Sequence, residues 1–330
     1  MTWLTWRQFR VSALTVFAGL VAVGVLLGIT GPQLVGRTDF SDSDFLYVGT
    51  SLLMYLLPAI VGVFWGVPLV TRELESGTHS LVWNQTITRK RWLATKLGAG
   101  VLGAMIAAGL LSLAVTWWAS PIDALANQST DRSMLNWMSP VVFAARGIVP
   151  IGYAAFAFVL GVAVGIVLRR TVAAMAVTLV LFAAVQLAVP LLVRPHILPA
   201  VNETVAITAP NITGIRGDAQ GLESISVRKP AGAWELANET VDPAGNTVSR
   251  LPDFVQGCMP RPGQGAPSQV PDIDSIEKCV EQLGERGYQQ HLAYQPGFRF
   301  WPLQWTELGF FVALSALLTW FCFRRLRHVA

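Results

Sequence analysis

The side chains able to do chemistry are few and scattered. The four histidines, His79, His196, His291 and His328, have no paired spacing on a helix and no neighbouring cysteine, so no metal site is expected. No glycine-rich loop ends in Gly-Lys-Ser or Gly-Lys-Thr, the pattern that cradles nucleotide phosphates, and the chain is not itself an ATPase of that kind. No nucleophile and base share a run end as a membrane hydrolase would require, and Asp272, Asp274 and Glu277 read as the solvated start of a short helix. No catalytic residue is assigned.

Two cysteines carry an expectation. Cys258 and Cys279 fall in a polar stretch of the chain, where pairing them would close a loop and stabilise it by roughly 3 kcal/mol. Cys322 lies in an apolar run and reads as a small hydrophobe.

The densest cluster of ionisable residues is Arg72-Glu73-Leu74-Glu75-Ser76-Gly77-Thr78, followed by Leu81, Val82 and Trp83, then Thr88, Arg89, Lys90, Arg91 and Lys96. Gly77 suits the left-handed residue that ends a helix, Thr78 can cap the next, and Thr88 can cap the one after. Glu73 and Glu75 then stand at a helix C-terminus, where a negative charge opposes the macrodipole and invites a cation. Arg72, Arg89 and Arg91 could supply it from within, or a docked protein could supply it from outside. An apolar Leu-Val-Trp face between two helices favours burial against another subunit or in the lipid interface.

The elements that hold this cluster are six long apolar runs: Val11 to Thr30, Phe45 to Thr71, Leu97 to Trp118, Val141 to Leu168, Thr171 to Val193 and Leu308 to Phe323. About 20 apolar residues are needed to cross the bilayer, and helices satisfy their own backbone there. The last run is short unless Trp301 and Trp305 enter the interface as an aromatic belt. Composition agrees: 53% of residues are hydrophobic, 13% are charged, and the mean hydropathy is +0.49. The fold expected is all-α and membrane-embedded, with a short amphipathic N-terminal helix at Trp3, Trp6 and Phe9. The first run reads as an uncleaved anchor.

Short loops rich in Arg and Lys alternate along the chain. Arg7 and Arg10, the 72–96 loop, Arg169 and Arg170, and Arg324, Arg325 and Arg327 share one side, which places both termini in the cytoplasm of a multi-pass plasma-membrane protein. The net charge of +4 is therefore a topology signal, and no nucleic-acid partner is expected. Three regions follow: 1–193 with five spans, a mixed extracytoplasmic domain at 194–306, and 307–330 with the sixth span and a basic tail. In the second, a hairpin-like turn is expected around Asp242 to Asn246 and a short helix from Asp274 to Leu283.

Within the runs, only Arg146 is a notable ionisable residue and Gln186 the strongest neutral polar one. That absence argues against a carrier driven by protons or ions, which needs membrane-buried acids or histidines. Gly24 with Gly28 and Gly161 with Gly165 have the small-residue spacing of close helix packing.

The 72–96 segment resembles the cytoplasmic loop of type-II ABC exporter permeases, with an acid pair, Gly-Thr, an apolar helix and a Ser/Thr-Arg step leading to a Lys. The resemblance implies that Glu73, Glu75, Gly77, Thr78, Leu81, Val82, Trp83, Arg89 and Lys96 form a coupling segment that inserts into a separate cytoplasmic ABC ATPase. Thr86 stands where many members have proline. The stretch from Tyr294 to Trp305 looks actinobacterial. The implied protein is the permease subunit of a bacterial exporter, paired with a second copy or a second permease. ATP and Mg would bind the partner ATPase, with no cofactor in this chain. Largely apolar spans favour an amphipathic or lipid-like cargo such as a drug or antibiotic. The alternative is a membrane-anchored sensor or assembly factor that binds a ligand outside.

Overall fold

The computed structural model describes residues 2–37, 40–76, 88–128, 136–218, 221–256, 278 and 281–326. Among the described residues, six helices are long and apolar enough to cross a membrane. Helix α1 is Thr2–Thr30. Its backbone is continuous, so no separate short helix precedes the first span. The second span is α2, Asp44–Ile60, a π-helical segment, Val61–Gly66, and α3, Pro68–Glu75. The third is α4, Arg89–Gln128.

After the short α5, Pro140–Ala144, the fourth span is α6, Val149–Leu168. The fifth is α7, Thr171–Ala188, a second π-helical segment, Val189–Val193, and α8, Arg194–Ile197.

Two prolines explain the π segments. Pro68 and Pro195 lack an N–H, and each proline ring crowds the carbonyl four residues earlier, inside the π segment, which widens the helix locally. Next to each, the hydrogen bond spans five residues: Val67 N–H to Gly62 O at 3.1 Å, and Arg194 N–H to Val189 O.

The fourth span starts later than its apolar run. Gly147 takes φ +68°, which breaks the chain between α5 and α6, so Val141 to Ile148 is not part of the long helix.

The chain divides into two compact units, one of residues 1–124, 140–197 and 300–330, the other of residues 125–139 and 198–299. In the first, α6 is central and mostly buried, against α2, the first π segment, α7 and the last long helix. Lipid removes the hydrophobic drive between helices, so close backbone approach matters more. A Cβ built on Gly161 would fall 2.2 Å from the Gly62 carbonyl oxygen, and one on Gly66 2.4 Å from that of Phe158. Gly165 lies against Thr71 and Val67. Gly24 and Gly28 have nothing within 4 Å of a built Cβ.

Residues 198–299 of the second unit form a small antiparallel β domain, inserted in sequence between the fifth and sixth long helices. Strands β1, Val201–Ala206, β4, Trp234–Val241, and β5, Gln289–Gln295, form a sheet in the order β1-β5-β4, while β2, Ile212–Asp218, pairs with β3, Gly221–Val227. Ile207, Leu222, Ile225, Leu251, Val255 and Leu283 make its core, joined by the short α9, Asp253–Gln256.

The turn after β4 closes as the residue types predict. The Asp242 carboxylate accepts the N–H groups of Ala244 and Asn246 at 2.9 and 2.8 Å, and Gly245 takes φ +85°. Those bonds, the Asn246 N–H first, hold the Asp242 carboxyl below the usual range. Residues 281–285 are helical, and the rest of the short helix expected from Asp274 lies outside the described residues.

The sixth long helix is α10, Phe300–Leu326, which exceeds the expected run at both ends. Trp301 and Trp305 near its start and Trp320 near its end are exposed. From Trp301 to Trp320 is about 28 Å at 1.5 Å per residue, close to the roughly 30 Å hydrocarbon thickness between aromatic belts.

Candidate functional site

The cluster singled out by residue type is built at the end of α3. Its two acids point to different helices. Glu73 Oε1 accepts from Lys96 Nζ of α4 at 2.5 Å. Lys96 is buried, with Nζ 3.4 Å from Leu69 O and 4.6 Å from the centre of the Trp92 ring. The attraction of the carboxylate and the ring face offsets the cost of taking the ammonium out of water. Lys96 thus answers Glu73.

Glu75 is exposed and meets the first turn of α7. Its Oε1 accepts the Thr171 N–H at 2.7 Å, and its Oε2 lies 2.6 Å from the Thr171 hydroxyl. That hydroxyl is also 2.8 Å from Thr71 Oγ1. Arg170, the residue before α7, is extended at φ −130° and makes no side-chain cap bond, so Glu75 caps α7 from another helix. A carboxylate misplaced at the C-terminus of its own helix is well placed at the N-terminus of the next.

Of the remaining residues expected in the coupling segment, Arg89 opens α4, and Thr88 caps it by accepting the Arg91 N–H at 3.3 Å. Gly77, Thr78, Leu81, Val82 and Trp83 lie outside the described residues, as do Cys258 and Cys279. Cys322 is a buried free thiol.

At the other end of the same helices lies a buried polar network that the apolar runs concealed. Glu307 of α10 accepts from Arg194 Nε and Nη2 of α8 at 2.8 and 2.9 Å, and from the Tyr153 hydroxyl of α6 at 2.7 Å. Arg194 also donates to Pro140 O and stacks on the Phe143 ring. Beside this, Asp123 of α4 accepts from Arg146 Nε at 3.0 Å and from the Tyr47 hydroxyl of α2 at 2.8 Å. Gln304 caps α6: its Oε1 accepts the N–H groups of Ile148 and Val149 at 2.9 Å each, and its Nε2 donates to the carbonyls of Phe143 and Arg146. Arg146 Nη2 finds no partner among the described residues.

This network corrects the expectation that the spans hold almost no ionisable residue. Arg194 and Glu307 flank apolar runs, and reading a span only up to its first charge leaves both outside. The helices continue through them because each charge meets its counter-charge inside the bundle. A buried carboxylate is therefore present, with both oxygens engaged by Arg194.

A cavity of about 90 Å³ lies next to Glu307, lined by Val189, Val193, Ile197, Thr306 and Phe310. A drug-sized ligand needs roughly 300 to 1,000 Å³, so this cavity does not hold one. Among the described residues no group of three or more His, Cys, Asp or Glu could hold a metal ion.

Six apolar helices with charges paired inside the bundle define a multi-pass membrane protein. Residues 34–194 match the family described as ABC-2 membrane transporter related, which supports a permease-like membrane protein. The match covers just under half of the chain, from the end of the first span through the fifth, and includes the loop after α3 with both its flanks. No curated protein and no solved structure matches the chain.

Proposed function

We propose that this chain is the membrane permease subunit of an ATP-driven ABC exporter, with both termini and the 77–87 loop on the cytoplasmic side. The observation that carries this reading is the family match across that loop, joined to the way its flanks are tied: Glu73 to α4 and Glu75 to α7. A separate ABC ATPase binds ATP and Mg and docks on the loop around Thr78, Leu81, Val82 and Trp83, and its closure rocks the helices between inward and outward states.

The cargo is an amphipathic or lipid-like compound, and its path forms where two permease copies, or this chain and a second permease, face each other. The cavity beside Glu307 is too small to be that path within one copy. On this topology the β domain lies outside the cytoplasm, where Cys258 and Cys279 pair. A mobility shift of the intact chain on reduction, absent in Cys258→Ser, is the expected result, and no shift would remove the bridge.

The test is a detergent pull-down of the tagged full-length chain from its native membrane, wild type against Glu75→Lys. Mass spectrometry should identify a protein carrying the Gly-Lys-Ser or Gly-Lys-Thr nucleotide loop with wild type and much less of it with the variant. Recovery of none, under conditions that keep known transporter complexes intact, overturns the permease reading in favour of a sensor or assembly factor built on the β domain.

A further inference from the structure

We propose that Thr171 is a positioning residue that carries movement of the 77–87 loop into α7, with Glu75 as the handle it follows. The proposal rests on the reading of that loop as the ATPase-docking segment, and names how its motion reaches the helices.

The last turn of α3 is bound to two helices by contacts of opposite kind. To α4 it is joined by the Glu73 to Lys96 pair, with Lys96 only 3% exposed. To α7 it is joined at an exposed point, where the Glu75 carboxylate takes both the N–H and the hydroxyl of Thr171. Since α7 has no cap of its own, this carboxylate is what serves its first N–H. A contact in water exchanges readily with solvent, whereas a buried ion pair does not separate without exposing a bare charge. The α4 contact is therefore the fixed one and the α7 contact the one that can be made and broken.

The chain around Thr171 favours transmission. Only Arg169 and Arg170 join α6 to α7, and Arg169 is held in the left-handed region at φ 53°, so this joint has little slack to absorb a shift. At its far end α7 runs through the π segment at Pro190 into Arg194, which is anchored to Glu307. A helix held at one end, softened before the anchor and gripped by a carboxylate at the other will swing when the grip moves. The Thr171 hydroxyl has one proton, and Glu75 Oε2 and Thr71 Oγ1 both lie within reach of it, at 2.6 and 2.8 Å. Both partners belong to α3, one turn apart, so the Thr171 hydroxyl meets that helix at two points.

The experiment uses the full chain with its co-purified ATPase in lipid nanodiscs. Spin labels at Leu102→Cys on α4 and Val180→Cys on α7, both exposed positions, report the distance between these helices without nucleotide and with ATP plus vanadate. The expected result is an ATP-driven shift in wild type that is lost in Thr171→Val, while ATP hydrolysis persists, and restored in Thr171→Ser, which brings back the hydroxyl. A full shift in Thr171→Val with the ATPase bound overturns the proposal. So does loss of hydrolysis along with the shift, which would make Thr171 merely structural, and so does the absence of any shift in wild type. Failure to recover an ATPase with wild type is a separate outcome, which removes the docking reading itself and this inference with it.

Discussion

The two ends of the helical unit solve the problem of charge in different ways. At the Glu307 end, one carboxylate accepts three hydrogen bonds from two helices, and Gln304 spends its amide on the N-terminus of α6. At the Glu73 and Glu75 end, two acids two residues apart reach for separate helices, Glu73 through a buried lysine and the exposed Glu75 through a half-buried threonine. Redundant burial makes a joint that resists opening, and a single exposed contact makes one that yields. The difference assigns an anchor to one end and a lever to the other. It also sets how each should respond to substitution.

The largest effect is expected at the anchor. Arg194→Leu leaves Glu307 buried without its counter-charge and should cost about 3–5 kcal/mol, read as a fall in thermal stability in detergent. Arg194→Leu with Glu307→Leu should recover most of the loss, since replacing a whole buried pair by apolar groups is often neutral. No recovery in the double variant would mean that the pair is not the unit of the anchor.

A smaller effect is expected where backbones touch between the ends. Gly161→Ala puts a methyl against the Gly62 carbonyl and should destabilise by about 1–3 kcal/mol, whereas Gly28→Ala meets nothing within the chain and should stay within about 0.5 kcal/mol. A large loss for Gly28→Ala would point to a contact with another copy instead.

Lys96→Met should cost roughly 1–3 kcal/mol by leaving Glu73 without its ammonium, and Glu73→Gln less, since an amide oxygen still accepts. At the bottom of the scale, Glu75→Gln should leave the unfolding temperature unchanged while weakening ATP-driven movement. A stability loss there equal to that of Arg194→Leu would erase the distinction between lever and anchor.

Much of this architecture was legible in the residues. Six helices follow from the apolar runs, the turn at Asp242 from its Asp-Pro-Ala-Gly-Asn sequence, and the cap at Thr88 from a hydroxyl before a helix. The helix ends were not legible, because an apolar run stops where a charge begins and a helix does not. That is why Glu307 and Arg194 escaped, although Arg194 next to Pro195 and Glu307 just before Leu308 stand at the edges of two runs.

The acids after the second span marked a site, and their poor position for the helix macrodipole called for a compensating partner. The cations considered were Arg72, Arg89 and Arg91. Among the contacts of the described residues, Glu73 has Lys96 and Glu75 has the N-terminus of α7. The second could not be read from sequence, since the partner is a backbone amide some hundred residues away, brought near only by the packing of α3 beside α7.

The most direct test of this distinction between lever and anchor is hydrogen exchange on the full chain bound to the ATPase proposed as its partner, with and without ATP and Mg. Amides at 69–76, 88–96 and 171–176 should change their exchange on ATP binding, while those at 149, 151–153 and 304–310 stay as they are. Change confined to the Glu307 end, or none at either end with the ATPase bound, would contradict it.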